Sequence, residues 1–244
     1  GVLTPFPIPG GDTLWWVWAH NATLYSSGEG GRVLRFKNGQ WTNISPIDDP
    51  RVIFWGGQTD RFGRTIVVGG SRDRFGPKGL IYVLNADETT WHKINVDEFV
   101  AAKNLYKVWI DPEGVAYLSG EEGVVLRLDG GRIEMMDTPT QERLFTINGN
   151  SRGHLFAVGG TSQGVVIRLE GGVWVEEDLG SPRPPLSGIF IRENGTAFAV
   201  GERGQILMRD PTGHWRAVYA DNGQRELQDF TLHAVFGRRR LIAV

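Results

Sequence analysis

The chain has 244 residues, enough for one large β domain or two small ones, and its 26 Lys and Arg stand against 28 Asp and Glu for a net charge of −2, without the basic footprint of a nucleic-acid binder. It has no cysteine, which excludes disulfides and thiolate chemistry. No stretch of 18 apolar residues and no charged-then-apolar leader stands in the sequence, so neither a membrane span nor a signal peptide is expected.

In chain order, Gly1–Gly11 contains VLTPFPIP, a β-favouring segment whose prolines restrict it to an edge strand. The stretch Leu14 to Ile44 follows. It holds four short apolar runs separated by Gly or Asn turns, and a tryptophan stands near its end. Looser copies recur, with leading aliphatic residues at Leu14, Ile53, Leu105, Leu144, Leu186 and Leu232, in steps of 39 to 52 residues. That period is the roughly 40–50 residues of one four-stranded propeller blade and is longer than leucine-rich, ankyrin or TPR repeats. Trp41, Trp91, Trp174 and Trp215 mark the ends of four copies, and Ile133 takes the slot in the third. The expected fold is therefore all-β, a β-propeller forming a single domain over 1–244, with repeats at about 14–48, 53–97, 105–138, 144–179 and 186–220. Nearly unbroken apolar strands such as Val124 to Leu128 fit sheets packed on both faces. Only Asp97 to Leu105 reads as a short helix or loop. The last copy, Leu232 to Val244, matches the first two strands alone, so 232–244 together with 1–10 is expected to make a composite sixth blade, because a closed ring leaves no sheet edge. A longer natural chain would allow seven.

Few residues suggest chemistry. Gly160-Thr161-Ser162-Gln163-Gly164 matches G-x-S-x-G, yet it joins two strands where a nucleophile elbow needs a strand-to-helix turn. The histidines, His20, His92, His154, His214 and His233, have no metal-binding spacing. No catalytic residue, metal or cofactor is assigned. Glu29, Glu121 and Glu202 each follow a Gly that ends a second strand, with Arg203 beside the last. They are expected on one face of the disc, as a partial ring of carboxylates able to hold a cation or a basic partner. Arg35, Arg127 and Arg168 share a third-strand register and are expected to pair with carboxylates or reach the rim. The second copy carries a long loop, Gly69 to Gly79, where the others have four to six residues. Its Arg72, Asp73, Arg74 and Phe75, with Lys78, have the cation-and-aromatic composition of a protein-binding hot spot. Trp15, Trp16, Trp18, Trp55 and Trp109 crowd the innermost strands as core or as sugar-stacking surfaces. The sequons at Asn21, Asn43 and Asn194 read as turns.

The segments AVGERGQILMRDPTGHW and LSGEEGVVLRLDGG resemble BNR-type propeller repeats, among them the photosystem II assembly-factor-like propellers of bacteria and plastids. The likeness covers nearly the whole chain. Of the related Asp box, Ser-x-Asp-x-Gly-x-Thr-Trp, Asp210 and Trp215 keep the Asp and Trp, Met208, Thr212 and His214 occupy other positions, and Thr90-Trp91 keeps a second fragment. The resemblance implies a rigid binding or assembly platform, often extracytoplasmic, and carries over no catalytic residue. The reading is a non-enzymatic scaffold that takes a protein or peptide partner on the face bearing Arg72, Asp73, Arg74, Phe75, Glu29, Glu121, Glu202 and Arg203. The alternative is a glycan-binding lectin or a glycoside-cleaving enzyme. A lectin would repeat its binding residues in each copy, and the inner column read as Trp16, Trp55, Lys107, Thr146, Gly188 and Ala234 is too varied for that.

Overall fold

The computed structural model of the chain describes residues 8, 11–87, 89–100, 102–218, 229–237 and 240–244. The expected repeats become sheets. β1 (Leu14–His20), β2 (Thr23–Gly28), β3 (Val33–Lys37) and β4 (Gln40–Asn43) form the first; β5 (Ile53–Thr59), β6 (Thr65–Gly70), β7 (Leu80–Leu84) and β8 (Trp91–Ile94) the second. β9 (Leu105–Ile110), β10 (Ala116–Gly120), β11 (Val125–Asp129) and β12 (Arg132–Met136) make the third. The fourth holds β13 (Leu144–Gly149), β14 (Leu155–Gly159), β15 (Val165–Glu170) and β16 (Val173–Glu176), and the fifth β17 (Leu186–Ile191), β18 (Ala197–Gly201), β19 (Ile206–Arg209) and β20 (Trp215–Ala217). All five are antiparallel, with strands in sequence order. A hairpin of β21 (Val235–Phe236) and β22 (Ile242–Ala243) follows, and one helical turn, α1 (Asp97–Val100), stands between the second and third sheets. The first strands pack on one another in chain order from β1 to β21, and one cavity is lined by residues from all six. The sheets therefore radiate from a central channel.

Three of the first-to-second-strand turns share a device absent from the sequence reading. Asp60, Asp111 and Asn150 each accept backbone N–H bonds through Oδ1 from the residues two and four further on, at 2.8–3.1 Å. A glycine at positive φ stands between, at Gly63, Gly114 and Gly153. The side chain satisfies donors the turn would otherwise leave unpaired.

The first strand of each of the five four-stranded sheets bulges at the same place. Leu14 pairs with Gly28 and Trp16 with Ser27, and the matching pairs recur at Phe54–Gly69 and Gly56–Val68, Leu105–Gly120 and Lys107–Ser119, Leu144–Gly159 and Thr146–Val158, and Leu186–Gly201 and Gly188–Val200. One extra residue per strand is left out of the ladder. This register corrects the second copy by one residue: Phe54, not Ile53, is its leading residue, and the inner column runs Trp16, Gly56, Lys107, Thr146, Gly188. The bulged residues are Trp15, Trp55, Tyr106, Phe145 and Ser187. Trp55 and Tyr106 lie 5.4 Å apart between ring centroids and Tyr106 and Phe145 5.2 Å, so three aromatics cluster at one end of the channel.

The tryptophans at the ends of the copies join neighbouring sheets. Trp91 Nε1 donates to the Ile44 carbonyl (2.6 Å), Trp174 Nε1 to Met136 Sδ (3.4 Å) and Trp215 Nε1 to Glu177 Oε2 (2.9 Å). Each acceptor lies three residues beyond the corresponding position, 41, 133 or 174, of the preceding copy. Where Ile133 replaces the indole, it and Ile94 pack against one apolar cluster. Glu177 also receives Arg209 Nε (2.7 Å) from the fifth sheet and Arg168 Nε (2.6 Å) from the fourth. Burial opposes its charge, but the hydrogen bonds from Arg209, Arg168 and Trp215 prevail and hold its pKa below the ordinary glutamate value. The first sheet differs. Val17 is 61% and Leu24 42% exposed, whereas Ile147 and Leu155, at the same register in the fourth sheet, are 3% and 2% exposed. The Trp41 indole nitrogen is buried with no hydrogen-bond partner among the described residues. The segment Gly1 to Pro9, expected to complete the last sheet, lies outside the described residues apart from Ile8.

Candidate functional site

The loop after β6 is held by its own polar groups. Asn104 Oδ1 accepts the Ser71 N–H (2.9 Å), Ser71 Oγ accepts the Asp73 N–H (3.0 Å), and Asp73 Oδ1 accepts the Phe75 N–H (3.0 Å). Lys78 Nζ donates to the Ser71 carbonyl, and Gly79 N–H to that of Lys103 (2.9 Å). The braced loop presents Phe75, 86% exposed, with the Arg74 guanidinium 5.7 Å from its ring centroid. Arg72 turns inward across the face. Its guanidinium lies 4.9 Å from the centroid of Trp15, an exposed bulge residue, and its Nη1 is 3.4 Å from Glu29 Oε1. The structure thus brings Arg72, Glu29 and Trp15 together, with Phe75 and Arg74 on the same loop as Arg72. Trp15 is a member of this patch that the sequence pattern left among the crowd of inner-strand tryptophans.

Of the remaining predicted residues, Glu121 is tied to the loop through Asn104, whereas Glu202 and Arg203 belong to the fifth sheet. Glu121 occupies the expected turn, but its carboxylate accepts the Asn104 N–H (2.7 Å), Asn104 Nδ2 (3.1 Å) and Tyr106 Oη (3.1 Å). It braces the third sheet's entry, and burial and its charge push the Tyr106 phenol up. Glu202 and Arg203 begin a 3-10 turn with Arg203 at φ 56°, and they line a shallow groove with Thr161, Ser162 and Pro182 to Pro185. Ser162 of the G-x-S-x-G segment sits there, in the loop joining β14 and β15. Among the described residues no group of three His, Cys, Asp or Glu could hold a metal ion, and no helix is long and apolar enough to cross a membrane. Arg127 pairs with Asp129 and Glu134 of its own sheet. Asp210, the Asp-box remnant, caps the β19–β20 turn through Thr212 and His214, which hold it down to about 2.

The channel wall has its own chemistry. Side chains staple some inner strands to the next: Trp16 Nε1 to the Gly57 carbonyl (2.9 Å), Thr146 Oγ1 to that of Ser187 (2.6 Å) and Asn148 Nδ2 to that of Ile189 (3.0 Å). Gly56 has no side chain to offer. Lys107 fills its place from the next strand, with Nζ on the Trp55 carbonyl (2.5 Å) and 3.9 Å from the Trp16 ring centroid. A Cβ at Gly56 would lie 2.6 Å from the Tyr106 carbonyl oxygen and 3.2 Å from Lys107 Cδ. The enclosed amine loses hydration, and burial pulls its pKa from 10.5 down to about 7.

No protein-family model and no curated protein sequence matches the chain. Solved structures do. Virginiamycin B lyase from Staphylococcus aureus superposes with a TM-score of 0.74 over 91% of this chain and 73% of its own, at 13% identity. YCF48, solved with a D1 peptide bound, gives 0.68 over 87% and 69%, at 14% identity. The fold is a β-propeller. The extracellular domain of the putative one-component system BT4673 from B. thetaiotaomicron gives 0.67 over 93% of this chain and 30% of its own, at 11% identity. At such identities the likeness extends to the fold alone: these propellers include a lyase and a peptide-bound protein, and the five complete sheets here are blades of that architecture.

Proposed function

We propose that the chain is a non-enzymatic propeller scaffold, one domain over 1–244, that binds a protein or peptide segment on the disc face carrying the Ser71 to Gly79 loop. The observation that carries this reading is Phe75, 86% exposed on a loop braced by Ser71, Asp73 and Asn104. An aromatic anchor with adjacent guanidinium groups, on a loop already ordered, is the composition and the preorganisation of an interface hot spot. Arg72, Arg74 and Lys78 favour a segment with acidic residues beside an apolar one. Asp73, and Glu121 through Asn104, brace the loop; Glu29 orients Arg72, and Glu202 with Arg203 gives a partner a second foothold three blades away. YCF48 with its D1 peptide is a precedent for a propeller of this shape holding a peptide. We further propose that β21–β22 begins a sixth blade. The open face at Val17 and Leu24, with the unanswered Trp41 N–H, is the seat of the strands that close the ring.

Panning a random peptide display library against the protein tests the reading. Peptides with acidic and apolar residues are expected, and they should lose at least about 2 kcal/mol, roughly thirtyfold, on the variant Arg72→Ala/Arg74→Ala/Phe75→Ala. Selected peptides that bind the variant equally well, or a library that yields none, would overturn it.

A further inference from the structure

The patch at Phe75 makes no use of Lys107. That residue projects into a channel cavity of about 370 Å³, at the small end of ligand pockets. Trp16, Trp109, Phe190 and Phe236 line it. Much of the polar wall is already engaged: Trp16 Nε1, Thr146 Oγ1 and Asn148 Nδ2 donate to neighbouring strands, and Gln58 bonds both the N–H and the carbonyl of Ile110. What faces the space is largely ring surface and one amine. The strands packed on β9 are β5, β6, β10 and β13, and none of them contains an acidic or basic residue. Facing Lys107 from these strands and from β1 are the Trp55 carbonyl, Gln58, Ser119, Thr146 and the Trp16 ring, and the other titratable group lining the cavity is His233. A buried ammonium is ordinarily paired. This one has a single carbonyl and a ring face.

We propose that the channel is a second binding site, for a small organic anion: a carboxylate on an apolar or aromatic body, with the Lys107 ammonium as its counter-ion and Trp16, Trp109, Phe190 and Phe236 around the body. The cavity has room for a body of one or two rings, and the charge that burial disfavours on Lys107 becomes favourable beside a carboxylate. Burial holds the amine near pH 7, so binding draws a proton onto it whenever the solution is more alkaline. Affinity is then full below about pH 7 and falls by about tenfold per pH unit above it. Gly56 is the permissive residue, since a side chain there would occupy the path Lys107 takes across the channel.

The test uses the whole chain with phenylacetate as probe and phenylacetamide as its neutral match, followed by tryptophan fluorescence and calorimetry from about pH 6 to about pH 9. Phenylacetate should bind at least about tenfold more tightly than the amide at pH 6, as expected for a charge-assisted contact. It should lose that advantage with the predicted slope and take up a proton on binding. Lys107→Met should abolish both the preference and the slope, and His233→Asn should leave the slope above pH 7 in place. Equal affinity for acid and amide, unchanged binding in Lys107→Met, a slope that follows His233, or no binding of phenylacetate would each overturn the proposal. Should Lys107→Met fail to fold, the acid–amide ratio and its pH dependence in the unmodified chain decide it.

Discussion

At the seam between the fourth and fifth blades, Arg168 and Arg209 close on one buried carboxylate, Glu177, which also takes the Trp215 indole N–H. In the loop after β6, Arg72 and Arg74 lie over Trp15 and Phe75, with Phe75 almost wholly in solvent. Arginine and aromatic side chains meet in both places. At the seam Arg168, Arg209 and Trp215 all donate to Glu177, so the energy goes into holding blades together. At the loop the brace is made by backbone and by Ser71, Asp73 and Asn104, and the larger side chains are left available to another molecule.

The largest expected effects belong to the seam. Glu177→Ala leaves two partly buried guanidinium groups facing each other and should cost about 3–5 kcal/mol in urea unfolding; a loss below about 1 kcal/mol would mean that the seam is not a stability element. Trp174→Ala should cost a similar 3–5 kcal/mol through lost burial and a cavity, since Trp174 is buried between the third and fourth blades. The hydrogen-bonded Glu177 has a lowered pKa, so its contribution is present above the ordinary glutamate value of 4.5 and is lost as pH falls through the folded value. Unfolding midpoints of the unmodified chain and of Glu177→Gln should therefore converge on acidification, and parallel curves would contradict that linkage.

Lys107 sharpens the contrast from the opposite sign. Its folded pKa of about 7 lies below 10.5, so the unfolded chain binds more protons between those values and this residue's cost is relieved as pH rises from 7. Lys107→Met should accordingly stabilise the chain by about 1–4 kcal/mol at pH 6, and a destabilised variant would show the amine to be structural. Smallest of all should be the effect of Arg240→Ser, at the first-to-second-strand turn of the last hairpin; its neighbours Arg238 and Arg239 lie outside the described residues. On the face opposite the loop, it should alter only the salt dependence of association.

The repeat was legible because blades buried on both faces need the same apolar runs and the same turn glycines in each copy. The error at Ile53 arose where Val52 to Trp55 is apolar throughout, so nothing in the residue types marks which one the bulge ejects. The tryptophan spacing was legible, but its acceptors are a carbonyl, a thioether and a carboxylate, and no residue pattern announces them. The recurrence of Glu after Gly marked Glu121 as a residue of the turn after β10. That its carboxylate is occupied by Asn104 and Tyr106 depends on a helix-to-strand connection no repeat contains. Lys107 could be seen as an oddity in its column, whereas its reach across the channel follows from the missing side chain at Gly56.

The loop after β6 is proposed to serve a partner and not the fold. That role is tested most directly by measuring, on one preparation of Arg72→Ala/Arg74→Ala/Phe75→Ala, both the urea midpoint and the affinity for a peptide selected on the unmodified chain. Stability should stay within about 0.5 kcal/mol of the original and affinity should weaken by about thirtyfold or more. Unchanged affinity, or a loss of stability large enough to explain the lost binding, would contradict it.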